Sequence, residues 1–181
     1  MVYDREMGVM RLLLTAPLPR GWLLAFKLLA GTALSVLQMV VFLGIAWAFG
    51  VDVPLTHLPA LLLAMVCGAV MLASVGLVLS VYVKQLENFA GTMNFVIFPM
   101  FFISPALYPL WKLEEAGAQA LYLLARINPF SHAVEAIRFA LCGQVNGFSL
   151  TVLAGGTVLC FALALRGYDP QRGWMRQRGA N

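Results

Sequence analysis

Long apolar runs alternate with short polar stretches along the chain. Four runs stay free of charged residues, or nearly so, for 18 to 26 positions. A helix needs about 20 apolar residues to cross the hydrocarbon layer of a bilayer, so each run is long enough. The pattern predicts an all-α, polytopic membrane protein that forms a single domain over residues 1–181, with membrane spans at 28–49, 58–83, 89–111 and 148–165.

Polar residues inside these runs are few. Thr32, Ser35 and Gln38 share nearly one helical face of the first run, and this face suits a transport pathway or a helix interface equally well. The third run contains Asn94, which we place in the same class, followed by three prolines. We expect no straight helix through that half, because proline removes a backbone hydrogen bond and clashes with the preceding turn.

An amphipathic stretch, REMGVMRLLLTA, occupies residues 5–16 and ends at Pro17 and Pro19. A short helix of this kind lies on a membrane surface or docks on a partner protein. We therefore expect residues 1–27 to form a segment outside the bilayer that precedes the first span.

A second amphipathic helix is predicted at residues 128–141. Asn128 suits the N-cap and Pro129 suits the first helical position, and the apolar residues that follow have helical spacing. Glu135 and Arg138 lie three residues apart on the opposite face, close enough to pair. We expect this helix to pack against the bilayer or to dip into it.

Composition excludes most soluble proteins. Hydrophobic residues make up 61% of the chain and charged residues only 11%, with a mean hydropathy of +0.85, whereas soluble domains carry about 25% charged residues. The net charge of +4 does not indicate nucleic-acid binding, because the basic residues lie at the ends of apolar runs and not in a stripe with aromatic residues.

The placement of Lys and Arg also orients the chain. Nine of the 12 lie in residues 1–27, 84–88 and 166–181, and three lie in residues 112–147. Cytoplasmic segments carry an excess of basic residues, so we predict that both termini, including the tail at 166–181, are cytoplasmic. Residues 112–147 then form an outer, re-entrant segment.

The sequence offers no catalytic constellation. It has no phosphate-binding G-x-x-x-x-G-K-[ST] loop and no G-x-G-x-x-G, and its two histidines and three cysteines lack metal-ligand spacing. We predict that the chain is not an enzyme and binds no cofactor or metal. The middles of the spans also lack charged residues, which argues against an ion-coupled carrier and favours an energy source outside the membrane.

Three motifs occur in order along the chain. In that order they comprise Glu6, Gly8, Arg11, Leu12, Pro17, Pro19 and Arg20; Phe98, Pro99, Phe101, Phe102, Ser104, Tyr108 and Pro109; and Asn128, Pro129, Glu135 and Arg138. Together they resemble the type-2 ABC exporter permease family. The first motif, in the N-terminal stretch, is similar to the family's coupling helix, and the second, a Phe- and Pro-rich pattern, is similar to its fifth span and the re-entrant turn after it. The third, an N-P-x-x-x-x-x-E-x-x-R pattern, resembles its outer helix before the sixth span.

The resemblance implies a membrane subunit of an ATP-driven exporter. The coupling helix would dock on a separate ABC ATPase subunit that binds ATP and Mg²⁺. Two permease copies, identical or not, would form the pathway across the bacterial inner membrane, in contact with lipid. The chain begins where family members pass from their second to their third span, so we expect it to lack the first two.

A second hypothesis is a membrane scaffold or assembly protein, or an inactive permease fragment, that transports nothing. In this case the polar groups in the spans would serve helix packing only. A partner ATPase with a phosphate-binding loop distinguishes the two hypotheses. The transported substrate is not readable from the sequence, since aromatic and Met-rich spans suit a lipid, a drug or a glycan carrier.

Overall fold

The computed structural model describes residues 20–51, 55–83, 85–107 and 119–168. These residues are helical, with no strand among them, which confirms the all-α fold. In chain order the helices are α1 (Arg20–Ala48), a 3₁₀ turn (Leu55–His57), α2 (Leu58–Tyr82), α3 (Leu86–Ile103), α4 (Gln119–Ile127), α5 (Pro129–Leu141) and α6 (Gly147–Gly167).

Three of the described helices, α1, α2 and α6, are long and apolar enough to cross a membrane, and α3 contributes a shorter apolar helix over Asn88–Ile103. The chain is therefore a multi-pass membrane protein. α1 begins at Arg20, eight residues before the predicted span at 28–49, because the apolar residues between Arg20 and Lys27 continue the helix. The predicted spans at 58–83 and 148–165 match α2 and α6 to within two residues.

The third predicted span, 89–111, differs from the helix that forms. α3 includes Pro99 but ends at Ile103, and Ser104 is extended, with φ −78° and ψ 157°. The residue before a proline avoids the helical region, and Pro105 imposes this on Ser104. Residues 108–111 lie outside the described part of the chain, so a complete third span stays a prediction.

α2 is the central helix and packs against α6, α5 and α1. Gly156 of α6 faces Met71 of α2, and Gly167 faces Tyr82. The two contacts are eleven residues apart on both helices, so α2 and α6 run parallel. Small residues give α2 shallow grooves in which neighbouring helices come close.

α5 runs antiparallel to α2. A Cβ atom built at Gly68 would lie 3.3 Å from the Cβ of Ala133, near the start of α5. The ring of His57, just before α2, packs on Gly143, just after α5. Gly143 has a φ of +74°, which favours glycine.

Two hydrophobic clusters hold the helices together. We call the end of the bundle near His57 and Gly143 the loop end, and the end near Tyr82 and Gly167 the tail end. Between the loop end and the middle, α2, α5 and α6 share a cluster of buried residues, Leu61, Ala64, Met65, Met71, Ala133, Ala136, Ala140 and Leu153. At the tail end, α1 joins α2 and α6 in a second cluster, which comprises Leu24, Leu77, Val81, Ala164 and Tyr168.

Candidate functional site

The turn between α4 and α5 carries the Asn-Pro pair of the third motif. The Oδ1 atom of Asn128 accepts a hydrogen bond from the backbone N–H of Phe130, at 3.1 Å, and Pro129 begins α5. This confirms the predicted cap. A side-chain oxygen at the N-cap satisfies one of the backbone N–H groups that the first turn leaves unpaired.

The same Asn128 side chain also reaches α3. Its Nδ2 atom donates a hydrogen bond of 2.6 Å to the carbonyl oxygen of Met100. In a continuing helix that carbonyl would accept from the N–H of Ser104, which instead donates to Phe101. Asn128 therefore satisfies a carbonyl that becomes available because α3 ends, and it joins the second and third motifs.

A second link joins α5 to the residues after α3. The Nη2 atom of Arg138 donates to the carbonyl oxygen of Pro105, at 3.0 Å. Glu135 is half-buried, and within the described residues no ion pair joins it to Arg138, so the predicted pairing does not form there. The guanidinium instead bonds to the carbonyl of Pro105.

Ser104 organises the chain where α3 ends. Its hydroxyl donates to the carbonyl of Phe101 at 2.6 Å and accepts from the N–H of Ala106 at 3.3 Å, and only 2% of the residue is exposed. The hydroxyl thus satisfies backbone groups of the turn, as expected for a serine beside prolines.

The α4–α5 hairpin reaches deep along α2. Gly68, which faces Ala133, lies ten residues into α2, or roughly 15 Å from its first residue at 1.5 Å per residue. α5 starts at about this level and ends near His57 at the loop end. α5 therefore lies along α2 from about its middle to the loop end.

His132 is a polar residue of this hairpin that the sequence did not single out. It is 5% exposed, its Nε2 atom lies 2.9 Å from the carbonyl oxygen of Arg126, and its ring meets that of Phe148 edge to face at 5.6 Å. Three buried polar atoms have no hydrogen-bond partner among the described residues: His132 Nδ1, Ser131 Oγ and Ser149 Oγ. A lone histidine among apolar residues gave no signal that could have identified this arrangement.

The three polar residues predicted to share one face of α1 differ in their hydrogen bonds and their exposure. The hydroxyls of Thr32 and Ser35 donate to the carbonyls of Leu28 and Gly31, at 2.8 and 2.9 Å, so their own helix satisfies them. Thr32 is buried, whereas Gln38 is exposed. Asn94 lies on α3 and is also exposed. Both assignments of these residues, pathway and helix interface, stay predictions.

Several predicted site residues lie outside the described part of the chain, namely Glu6, Gly8, Arg11, Leu12, Pro17, Pro19, Tyr108 and Pro109. Of the predicted coupling residues, only the backbone of Arg20 is described, as the first residue of α1. Among the described residues there is no group of three or more His, Cys, Asp or Glu side chains that could hold a metal ion, and Cys67, Cys142 and Cys160 are free.

Comparison with known proteins identifies the family. A family model described as ABC-2 type transporter matches residues 1–142. The chain is 34% identical over 159 residues to ycf38 of Porphyra purpurea, a protein named as a transport permease. The match covers 84% of this chain and 52% of that relative, so the chain spans about half the relative's length. No solved structure matches the chain. The chain belongs to the ABC-2 type transporter family.

Proposed function

We propose that the chain is a transmembrane permease subunit of an ATP-binding-cassette exporter in the bacterial inner membrane. A separate ATPase subunit binds ATP and Mg²⁺ and hydrolyses ATP, and a second permease copy completes the pathway. The observation that supports the proposal is the position of α5, which in a chain of this family lies along a membrane helix from its middle to the loop end. We expect a helix at this depth to control the outer half of the proposed pathway.

The lack of charged residues in the predicted spans supports an energy source outside the membrane. No Asp, Glu, Lys or Arg occurs in residues 28–49, 58–83, 88–111 or 148–165. A carrier driven by an ion gradient usually needs an ionisable group within the membrane. ATP hydrolysis by a partner subunit supplies the energy without one, and we assign docking of that subunit to residues 6–20.

Orientation follows from the same distribution of charge. The basic residues of the tail end belong on the cytoplasmic side, which places both termini in the cytoplasm and the loop end outside. Cys142, an exposed residue directly after α5, then lies on the outer surface.

A membrane-impermeant maleimide is therefore expected to label Cys142 in intact spheroplasts. Cys67 and Cys160 are half-buried in membrane helices, so labelling should disappear in the Cys142→Ala variant. A cysteine that replaces Asn181 in that variant should react only after the membrane is permeabilised. Labelling of the Asn181→Cys variant in intact spheroplasts would contradict the proposed orientation.

The proposed function is tested by purifying the tagged full-length gene product in lipid nanodiscs and identifying co-purified proteins by mass spectrometry. We expect an ATPase with a phosphate-binding loop in stoichiometric amount. Recovery of a folded permease without any such ATPase, both from detergent and from nanodiscs, would favour the scaffold hypothesis.

A further inference from the structure

The buried residues near α3 are concentrated at one end. None of its side chains between Asn88 and Ile103 is buried, whereas the central helix α2 has ten buried residues. The two residues that follow α3 are Ser104, with 2% of its surface exposed, and Pro105, which is less than 2% exposed. Within this chain, α3 is therefore fixed chiefly at its loop-end terminus.

Contacts with α5 explain the tight end. The Asn128 amide donates to Met100 O and the Arg138 guanidinium donates to Pro105 O, and the rings of Phe101 and Phe130 meet edge to face at 6.0 Å. All three contacts lie within residues 100–105 of α3 and the turn after it. We call these residues the α3 anchor.

Pro99 directly precedes the anchor and lies inside the helix. Because proline has no N–H, the carbonyl of Phe95 loses its helical hydrogen bond, and the ring crowds the preceding turn. Sharp bends in helices occur at such positions. The weakest point of α3 thus lies between the anchor and residues 86–98, which we call the α3 arm.

The α3 arm contacts α2 through a flexible methionine side chain. The methyl group of Met93 lies 3.6 Å from a Cβ atom built at Gly76 of α2, which is ordinary van der Waals contact between flexible or small groups. The side-chain amide of Asn88 donates a hydrogen bond to Gln85 Oε1, and the hydroxyl of Thr92 donates to the carbonyl of Asn88. Both bonds lie near the start of α3. These bonds do not fasten the arm to another helix.

We propose that α3 is a hinged helix, in which Asn128 and Arg138 fix the anchor to α5 and the arm moves about Pro99. Asn128 and Arg138 are positioning residues, because they hold the anchor and do not themselves move. The arm is roughly 20 Å long, so a bend of about 20° would displace its tail end by roughly 7 Å. The further step, in which ATP drives this movement, rests on the proposed function. The hinge itself does not depend on it.

Distances between pairs of spin labels test the hinge in nanodiscs, starting from a variant without cysteines in which Cys67, Cys142 and Cys160 are replaced by Ala. One pair, Ala90→Cys with Leu163→Cys, joins the arm to α6. The other pair, Phe102→Cys with Leu141→Cys, joins the anchor to α5. All four positions are exposed. We expect a broad distance distribution for the arm pair and a narrow one for the anchor pair; two equally narrow distributions would overturn the proposal.

Two substitutions assign the roles of Pro99 and Asn128. Pro99→Ala restores the helical N–H and should narrow the distance distribution of the arm pair.

Asn128→Ser keeps an oxygen that can cap α5 but removes the amide donor to Met100. It should therefore broaden the distance distribution of the anchor pair, while the helix content measured by circular dichroism stays unchanged. Asn146, which caps α6 through Ser149 N, provides the matched control: Asn146→Ser should leave both distributions unchanged. An anchor distribution that Asn128→Ser leaves narrow would overturn the assigned role.

A final comparison adds the partner ATPase with a non-hydrolysable ATP analogue. Ala90 lies nine residues from Pro99, or roughly 14 Å along the helix. For a bend of about 20° we therefore expect the mean distance of the arm pair to shift by about 5 Å, with little change in the anchor pair. A broad arm distribution that nucleotide does not shift would contradict ATP-driven transport by this chain and would leave the hinge supported.

Discussion

Gly68→Leu is expected to displace α5 from α2 and to destabilise the protein. The Cβ atom alone would lie 3.3 Å from Ala133 Cβ, and leucine adds three further carbons where α2 faces this side chain of α5. Overpacking of this kind typically costs about 1–3 kcal/mol. We place the effect at the upper end, because α5 contributes Ala133, Ala136 and Ala140 to the buried cluster. The unfolding midpoint in nanodiscs measures the loss.

Gly44→Leu is the matched control for this prediction. Gly44 also lies inside a membrane helix, α1, but a Cβ atom there has nothing within 4 Å. The same substitution should leave the unfolding midpoint nearly unchanged. If Gly68→Leu and Gly44→Leu had equal effects, α5 would not pack on Gly68 as described.

The combined substitutions Glu6→Ala and Arg11→Ala are expected to lower the affinity of the proposed partner ATPase for the permease by tenfold or more. Truncating one partner of a buried, hydrogen-bonded charge pair across an interface typically costs about 2–5 kcal/mol, and about 1.4 kcal/mol corresponds to a tenfold change in affinity. We therefore expect the double variant to retain little ATPase on purification. Quantitative mass spectrometry of the purified complex gives the ratio of ATPase to permease.

The control for the coupling variant removes the same charges elsewhere. Lys112→Ala with Glu114→Ala also deletes one base and one acid, but on the predicted outer side of the membrane. This variant should retain the ATPase at the wild-type ratio. Equal loss in both double variants, or no loss in either, would contradict the assignment of residues 6–20 to coupling.

Hydrophobic periodicity was sufficient to predict the helices that are apolar and uninterrupted. α2 matches its predicted span to within one residue, because a run without charge over 26 positions leaves few alternatives. α1 extends eight residues before the predicted span, to Arg20, because a long basic side chain such as that of Lys27 can lie at a helix flank. The Asn128 cap was also predictable, because capping depends on local sequence.

The long-range contacts of the site could not be predicted from the sequence. Asn128 and Met100 are 28 residues apart, and Arg138 and Pro105 are 33 apart. Spacing along α5 predicts that Arg138 pairs with Glu135, but the Arg138 guanidinium instead donates to the carbonyl of Pro105, just after the end of α3. The buried position of His132 likewise depends on its contact with the ring of Phe148 in α6, which no local pattern predicts.

ATP hydrolysis by the partner ATPase, measured with and without this permease in lipid nanodiscs, tests the central claim most directly. If the chain is the membrane half of an ATP-driven exporter, the rate should change several-fold when the full-length permease is present, and the Glu6→Ala, Arg11→Ala variant should abolish that change. An ATPase whose rate is the same with the wild-type permease, the double variant and empty nanodiscs would contradict it.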